Sequence, residues 1–156
     1  MKNLIKTELP LTSDERQILK VIVNAIIPAS DQFLLPGAAD PDIFSSILTH
    51  ANQYEDQLKK GLAALNRQSE ERFQASFIES STMDQSKLLQ ELRDSRSTFV
   101  RTVLSITLQA YYLDPRVLES VDLQSRPPYP QGFNVEQGDW SLLDPVRKRK
   151  KFYREV

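Results

Sequence analysis

Two nearly continuous apolar segments constrain the fold of this chain more than any other feature. They cover residues 18–27 and 99–112. A helix that is apolar on almost all sides lies at the centre of a domain. We therefore predict central helices at about 13–27 and 98–112. Each has a narrow polar stripe, formed by Gln17, Lys20 and Asn24 in the first helix and by Arg101, Ser105 and Gln109 in the second.

Local signals support helices at several positions. Thr12 and Glu15 have the spacing of a capping box, in which each side chain satisfies a free backbone N–H of the first turn. Pro28 stops the first helix. Its β-branched residues would also suit a buried strand, but the capping box and the length of the segment favour a helix. Asp40-Pro41 is a strong start signal for a second helix.

Apolar stripes predict the remaining helices. The second helix carries Ile43, Phe44 and Ile47, and a third carries Tyr54, Leu58, Leu62 and Leu65. Residues 68–81 are ambiguous, although the spacing of Phe73 and Phe77 suggests a short helix. A further helix is expected to be capped by Thr82 and to carry Met83, Leu88, Leu89 and Leu92, and Asp114-Pro115 is expected to end the second central helix.

The chain after about residue 121 has a different character. Prolines at 127, 128 and 130 rule out regular helix or central strand there, and Gly138-Asp139-Trp140 and Asp144-Pro145 continue the irregular pattern. The region is nevertheless rich in aromatic residues, which are costly to leave in water. We predict an all-α protein with no more than two short strands. Residues 1–120 would form a compact domain of five to six helices, and residues 121–156 an extended irregular arm that packs on the body or on a partner.

The composition argues against chemistry in this chain. It has no cysteine, one histidine and four glycines, so thiolate sites, histidine metal clusters and a glycine-rich phosphate loop lack their residues. His50 is interpreted as a polar residue on a helix flank. We expect no catalytic residue, metal ligand or cofactor-binding residue in the chain.

Charge is distributed unevenly, although the net charge is only −1. Residues 145–156 carry about +5 and the remainder about −6. This basic tail suits a solvated terminus or a contact to an acidic partner better than a nucleic-acid patch. No segment is long and apolar enough to cross a membrane. The N-terminus lacks the apolar core of a secretory signal, so we expect a cytoplasmic location for the chain as given, or a periplasmic one if a leader has been removed.

The order of several short motifs resembles the small subunit of the gluconate 2-dehydrogenase type, the subunit 3 family. The motifs are Asn24-Ala25-Ile26-Ile27-Pro28, Pro36-Gly37-Ala38, Gly61-Leu62-Ala63-Ala64-Leu65 with Arg72-Phe73, Tyr111-Tyr112-Leu113-Asp114-Pro115, Arg126-Pro127-Pro128-Tyr129-Pro130-Gln131-Gly132, and Gln137-Gly138-Asp139-Trp140-Ser141-Leu142-Leu143-Asp144-Pro145.

The resemblance implies a role without a reaction. Members of the family are non-catalytic partners of large flavoproteins of the glucose–methanol–choline oxidoreductase type, whose large subunit holds the FAD and the catalytic base. In some complexes a cytochrome c subunit accepts the electrons. Several small subunits carry a twin-arginine signal, and no such pair precedes the first helix here.

We therefore predict an accessory subunit that stabilises an FAD-dependent sugar or sugar-acid dehydrogenase. The alternatives are a stand-alone enzyme, which the single histidine disfavours, and a helical adaptor or nucleic-acid-binding module that uses the basic tail. The Pro-Pro-Tyr-Pro stretch suits a rigid strap, or a ligand for SH3 or WW domains. The predicted partner-binding residues are Tyr111, Tyr112, Arg126, Pro127, Pro128, Tyr129, Pro130, Phe133, Trp140, Leu143 and Arg147.

Overall fold

The computed structural model describes residues 9–126, 129–133 and 138–150. These residues belong to two compact units, which divide between Ser125 and Arg126. The first unit, called the body here, forms six α-helices, and the second, called the arm, contains one short helix. The helices are α1 (Ser13–Ile26), α2 (Pro41–Ala51), α3 (Glu55–Phe73), α4 (Thr82–Asp94), α5 (Thr98–Tyr111), α6 (Pro115–Ser120) and α7 (Asp144–Arg147).

The all-α prediction is confirmed. The β-pairing found in the described part of the chain is one isolated bridge, between Ser30 and Leu35. None of the helices in the described ranges has the length and apolar character needed to cross a membrane. The two central helices lie where the apolar segments place them, as α1 and α5.

Helix α1 begins at the predicted capping box. The Thr12 side chain accepts from the Glu15 N–H at 3.2 Å, and the Glu15 carboxylate accepts from the Thr12 N–H at 2.9 Å. One face is buried, and it consists of Ile18, Leu19, Ile22 and Val23. The opposite side is exposed at Lys20, Asn24 and Ala25. Burial is therefore less complete than the apolar sequence indicated.

The region between α3 and α4 corrects two predictions. Helix α3 continues to Phe73, where Gln74 takes a left-handed conformation (φ 54°) and ends it. Phe77 is fully buried, but it lies in the following turn and not in a helix with Phe73. The cap of α4 is Ser81, whose side chain accepts from the Asp84 N–H. Thr82 is instead the first helical residue. Ser81 and Thr82 both carry a hydroxyl that suits an N-cap, so the sequence alone does not distinguish them.

Two Asp-Pro pairs start helices that are not predicted from the sequence, and Asp114-Pro115 also follows the end of α5 as predicted. Asp114 ends the turn after α5 but also caps α6, since its carboxylate accepts from the Arg116 N–H at 2.9 Å. Asp144-Pro145 opens the four-residue α7. Proline has no backbone N–H, but at the first positions of a helix that N–H would have no partner within the helix, so proline is well tolerated there. The same pair therefore stops one helix and starts another.

The core of the body is formed by one contiguous set of apolar side chains from α1 to α6. Helix α2 packs along α5, and α1 and α3 also pack against α5. Leu9 joins this core before α1, where its N–H donates to the Leu48 carbonyl at 3.1 Å. Helix α5 is thus central, as its sequence predicts.

A single arginine ties the starts of α2 and α6 together. The Arg116 guanidinium donates to Asp40 at 2.8 and 3.1 Å and to Asp114 at 2.8 and 2.9 Å. Both carboxylates are also N-caps. The bonds from Arg116 lower the pKa of both aspartates, with backbone N–H donors adding to the effect and burial opposing it. The two carboxylates in turn raise the pKa of Arg116.

We predict that Arg116→Met destabilises the full chain near neutral pH, because two capping carboxylates would lose charge-assisted bonds worth about 1.5–3 kcal/mol in total. The two aspartates have folded-state pKa values below their ordinary 3.8. Their contribution to stability is therefore present above that pH and is lost as the pH falls through the folded-state values. Thermal melts between pH 7 and pH 3 should show a lower melting temperature for the variant, with a gap that narrows in acid.

The matched control is Arg93→Met, which removes an ion pair to Asp94 that is exposed on both sides. Such pairs contribute about 0–1 kcal/mol, so this variant should melt close to the wild type at every pH. Parallel pH profiles for Arg116→Met and the wild type would contradict the proposed role of the aspartates.

We also predict that Gly61→Ala destabilises the body. A Cβ at Gly61 would overlap Cδ2 of the buried Phe99, where α3 meets α5. Overpacking of this kind costs about 1–3 kcal/mol, which exceeds the gain in helix propensity of about 1 kcal/mol. Chemical denaturation should show the loss. Gly138→Ala, whose Cβ would meet nothing within 4 Å, is the control. Equal stability for both variants would refute the packing argument.

Candidate partner-binding site

One side of α5 carries apolar side chains that the body does not cover. Arg101, Ser105 and Gln109 are exposed, as the polar stripe predicts. Leu104 and Leu108 are exposed as well. Side chains four residues apart share a helix face, so these leucines continue toward Tyr112 and Leu113 beyond the end of the helix. Interfaces are commonly rich in apolar and aromatic groups, and Leu104, Leu108 and Tyr112 give this side of α5 such groups.

The two tyrosines at the end of α5 have different surroundings. Tyr111 is only 6 % exposed, and its hydroxyl donates to the Pro36 carbonyl at 3.1 Å. Burial raises the pKa of this hydroxyl, with smaller effects from Tyr112 and Asp114. Tyr112 stands edge-on to Tyr111, with ring centroids 5.5 Å apart, and is exposed. Of these two predicted partner-binding residues, Tyr112 therefore presents its ring at the surface and Tyr111 belongs to the core.

The connection between α1 and α2 forms a closed loop, residues 27–38, called the α1–α2 loop here. Its neck is fastened by the Ala38 N–H, which donates to the Ile27 carbonyl at 2.8 Å. Above the neck, Ser30 and Leu35 exchange two backbone bonds of 3.0 Å each. A Cβ at Gly37 would lie 2.6 Å from the Ala29 backbone nitrogen, so glycine is required for this close approach. The tip of the loop presents Phe33 and Leu34.

In the arm, Arg126 organises the residues near it. Its guanidinium donates to the Gly132 carbonyl at 2.7 Å and lies 4.8 Å from the centre of the Phe133 ring, a cation–π contact. Gly132 adopts a positive φ of 65°, which glycine permits without strain. Tyr129 is 85 % exposed, and Pro130 is also exposed. The predicted residues Pro127 and Pro128 lie outside the described residues.

The second part of the arm is a short helical segment and not irregular chain. A 3-10 turn over Trp140–Leu143 leads directly into α7. The Asp139 carboxylate caps this turn by accepting from the Ser141 N–H at 2.9 Å, and bonding to Ser141 lowers the pKa of Asp139. Trp140 is 61 % exposed and Leu143 is also exposed. Arg147 approaches Asp144 at 3.4 Å.

Three polar groups of the body that could support chemistry are used in structural bonds. The His50 ring nitrogen Nδ1 lies 2.8 Å from the Ser46 carbonyl one helical turn earlier, as expected for a residue on a helix flank. Asp40 and Asp114 are both bound by Arg116. Within the described ranges, no group of three or more His, Cys, Asp or Glu side chains could hold a metal ion.

The cavities of the body differ in their linings. One of about 410 Å³ lies beside the start of α1 and is lined in part by Asp14, Glu15 and Glu79. Another of about 400 Å³ lies between α3 and α4, next to Gly61 and Glu91. A smaller cleft of about 80 Å³ between α1, α4 and α5 has a lining that is apolar except for Arg93.

Sequence reasoning missed several exposed apolar residues of the body. Leu104 and Leu108 were assigned to the core because they lie in a continuous apolar segment. No role was predicted for Phe33 and Leu34, which lie between the first two predicted helices. One sequence signal could have found Phe33 and Leu34. They are large apolar residues between turn-forming residues, where no helical or strand periodicity predicts burial.

Comparison with known families identifies the chain. No curated protein and no solved structure matches its sequence. The family model for gluconate 2-dehydrogenase subunit 3 matches residues 13–127, nearly three quarters of the 156 residues. The match includes all six helices of the body and the α1–α2 loop, and most of the arm lies beyond it. The chain therefore belongs to the gluconate 2-dehydrogenase subunit 3 family.

Proposed function

We propose that this chain is the non-catalytic small subunit of an FAD-dependent sugar or sugar-acid dehydrogenase. Its role is to stabilise a large flavoprotein subunit of the glucose–methanol–choline oxidoreductase type, which carries the FAD and the catalytic base. The observation that carries the proposal is the family match over residues 13–127. A cytochrome c subunit is a further candidate partner of the same complex.

The geometry of the body supports a role in binding. The exposed side of α5 and the tip of the α1–α2 loop present Leu104, Leu108, Tyr112, Phe33 and Leu34 to solvent. By contrast, α3 exposes charged side chains, among them Lys60, Arg67 and Glu71. Large exposed apolar groups are a feature of surfaces that bind other proteins.

The arm supports the same role. Trp140, Leu143 and Tyr129 are exposed in it, and Arg126 and Asp139 hold the chain around them in fixed local turns. Aromatic side chains in preformed segments lose little entropy on docking and supply much of the binding energy at interfaces. Proline at 130 and 145 further restricts the backbone.

The direct test of the proposal is co-purification. The tagged full-length chain is expressed in its source organism, and the proteins retained with it are identified by mass and examined for flavin absorbance. Recovery of a large flavoprotein dehydrogenase in stoichiometric amount supports the proposal. Recovery of nucleic acid or of an unrelated protein, with no dehydrogenase, contradicts it.

We predict that the purified chain alone retains no flavin and oxidises no sugar. The expectation rests on its bonded polar groups, since His50, Asp40 and Asp114 are each already held by another part of the body. Absorbance near the flavin bands and dye-linked sugar oxidation are the measurements, and the reconstituted complex is the positive control. A stoichiometric yellow chromophore on the isolated chain would refute this prediction.

We further predict that Trp140→Ala weakens association with the large subunit by roughly thirty-fold or more, because truncation of an interface hot spot costs about 2–4 kcal/mol and each 1.4 kcal/mol is tenfold. The melting temperature of the isolated chain should change little, because the ring is largely exposed there. Titration of purified subunits and thermal melts provide the two readouts.

The control is Trp140→Phe, which retains an aromatic ring and should keep most of the affinity. Removal of the basic residues after Pro145 should have a smaller effect that fades with added salt, since exposed charge pairs are worth about 0–1 kcal/mol. If Trp140→Ala lowers the melting temperature of the isolated chain by several degrees and leaves binding intact, the residue serves the chain's own packing.

A further inference from the structure

The tip of the α1–α2 loop is closed by backbone hydrogen bonds and carries a strained apolar residue. Leu34 has a φ of 52° and is 91 % exposed. A leucine in the left-handed region has an unfavourable backbone conformation, which asparagine or glycine would adopt more readily. Full exposure means that burial within the chain does not offset this strain. Strained residues that persist are concentrated at sites of function, so the side chain of Leu34 is expected to serve a contact outside the chain.

The backbone around Leu34 is held in place by several bonds. The Leu34 N–H donates to the Asp31 carbonyl at 3.3 Å, directly above the paired bonds of Ser30 and Leu35. Phe33, also exposed, stands beside it in the same turn. Two large apolar side chains on a closed turn form a convex anchor that needs little further ordering when it binds. Their natural counterpart is a concave apolar pocket.

The charge around the loop shows which kind of partner it fits. The loop itself, residues 27–38, contains Asp31 and no lysine or arginine. Anionic lipid surfaces attract basic segments, so a membrane is a poor match for a loop whose one charged side chain is acidic. The complementary surface is a protein pocket with an apolar floor and a neutral or basic rim.

A second copy of this chain is the competing occupant. The body has a cavity of about 450 Å³ that is lined by Gln17, Lys20, Val21, Asn24, Ala39, Ile78 and Gln85, with no acidic group among them. The match to a dehydrogenase subunit family favours the larger subunit over a second copy, and the oligomeric state of the isolated chain separates the two.

We infer that Phe33 and Leu34 form an anchor that inserts into an apolar pocket, rimmed by neutral or basic groups, on the large dehydrogenase subunit. The inference rests on the proposed function and adds the surface through which the body is recognised. The body then contributes a preformed contact of its own, in addition to any contact made by the arm.

The test compares Leu34→Asn with the wild type in the full-length chain. Asparagine suits the left-handed backbone, so the melting temperature of the isolated chain should be unchanged or higher. Binding to the large dehydrogenase subunit that co-purifies with the wild type should weaken at least tenfold, measured by titration of the purified subunits. Phe33→Ala is a second variant with the same expected loss of binding. Met83→Gln, which removes an exposed apolar side chain from α4, is the matched control and should bind like the wild type.

Three results would overturn the inference, and they differ in what they say of the proposed function. If Leu34→Asn and Phe33→Ala bind as tightly as the wild type, the anchor is wrong and the accessory role stands. If the isolated wild type is a dimer that Leu34→Asn converts to a monomer, the tip contacts a second copy. If no dehydrogenase subunit co-purifies with the wild type, both the accessory role and the anchor fail.

Discussion

The packing of α2 along α5 is the contact on which the rest of the body depends, and Arg116 fixes it at one end. Asp40 and Asp114 start α2 and α6, and they are brought to one guanidinium although Arg116 is 76 residues from Asp40 in sequence. The Tyr111 hydroxyl fastens the Pro36 carbonyl to the same region. The position of the α1–α2 loop relative to the end of α5 therefore follows from a few directed bonds between helix ends, added to the apolar contacts between the helices.

Most of this architecture could be predicted from the sequence because its signals are local. The capping box of Thr12 and Glu15, the Asp40-Pro41 start and the apolar periodicity of α2, α3 and α5 each act within a few residues. The failures have the same origin. Ser81 and Thr82 are chemically equivalent as caps, and Asp114-Pro115 is compatible with both the end of α5 and the start of α6. Sequence signals of this kind mark a boundary, whereas tertiary packing decides on which side of it the helix continues.

The candidate site was harder to predict because it depends on small rotations. Tyr111 and Tyr112 are adjacent, and one residue turns a helix by about 100°, which places the first ring in the core and the second at the surface. Leu104 and Leu108 differ from the buried Val103 and Thr107 by the same step. An apolar segment indicates that a helix can be buried, but the number of helices that pack around α5 determines which of its sides is covered. The exposure of the arm's aromatic residues could be anticipated because the prolines and short turns around them leave too little regular structure for a core within the arm.

The two kinds of exposed apolar surface differ in the free energy that docking would cost. The α1–α2 loop is closed by backbone bonds at two levels, so its tip would bind with little loss of conformational entropy. The arm is built from short turns held by single side chains such as Asp139 and Arg126, so fewer bonds fix each of its turns than fix the loop. A preformed anchor on the body and the exposed aromatic groups of the arm would thus contribute differently. The anchor would select a pocket of matching shape, and the arm would add contact area once that pocket is engaged. On this reasoning, losing the anchor would reduce discrimination between related large subunits, while losing the arm would mainly shorten the lifetime of a complex that still forms at the right place.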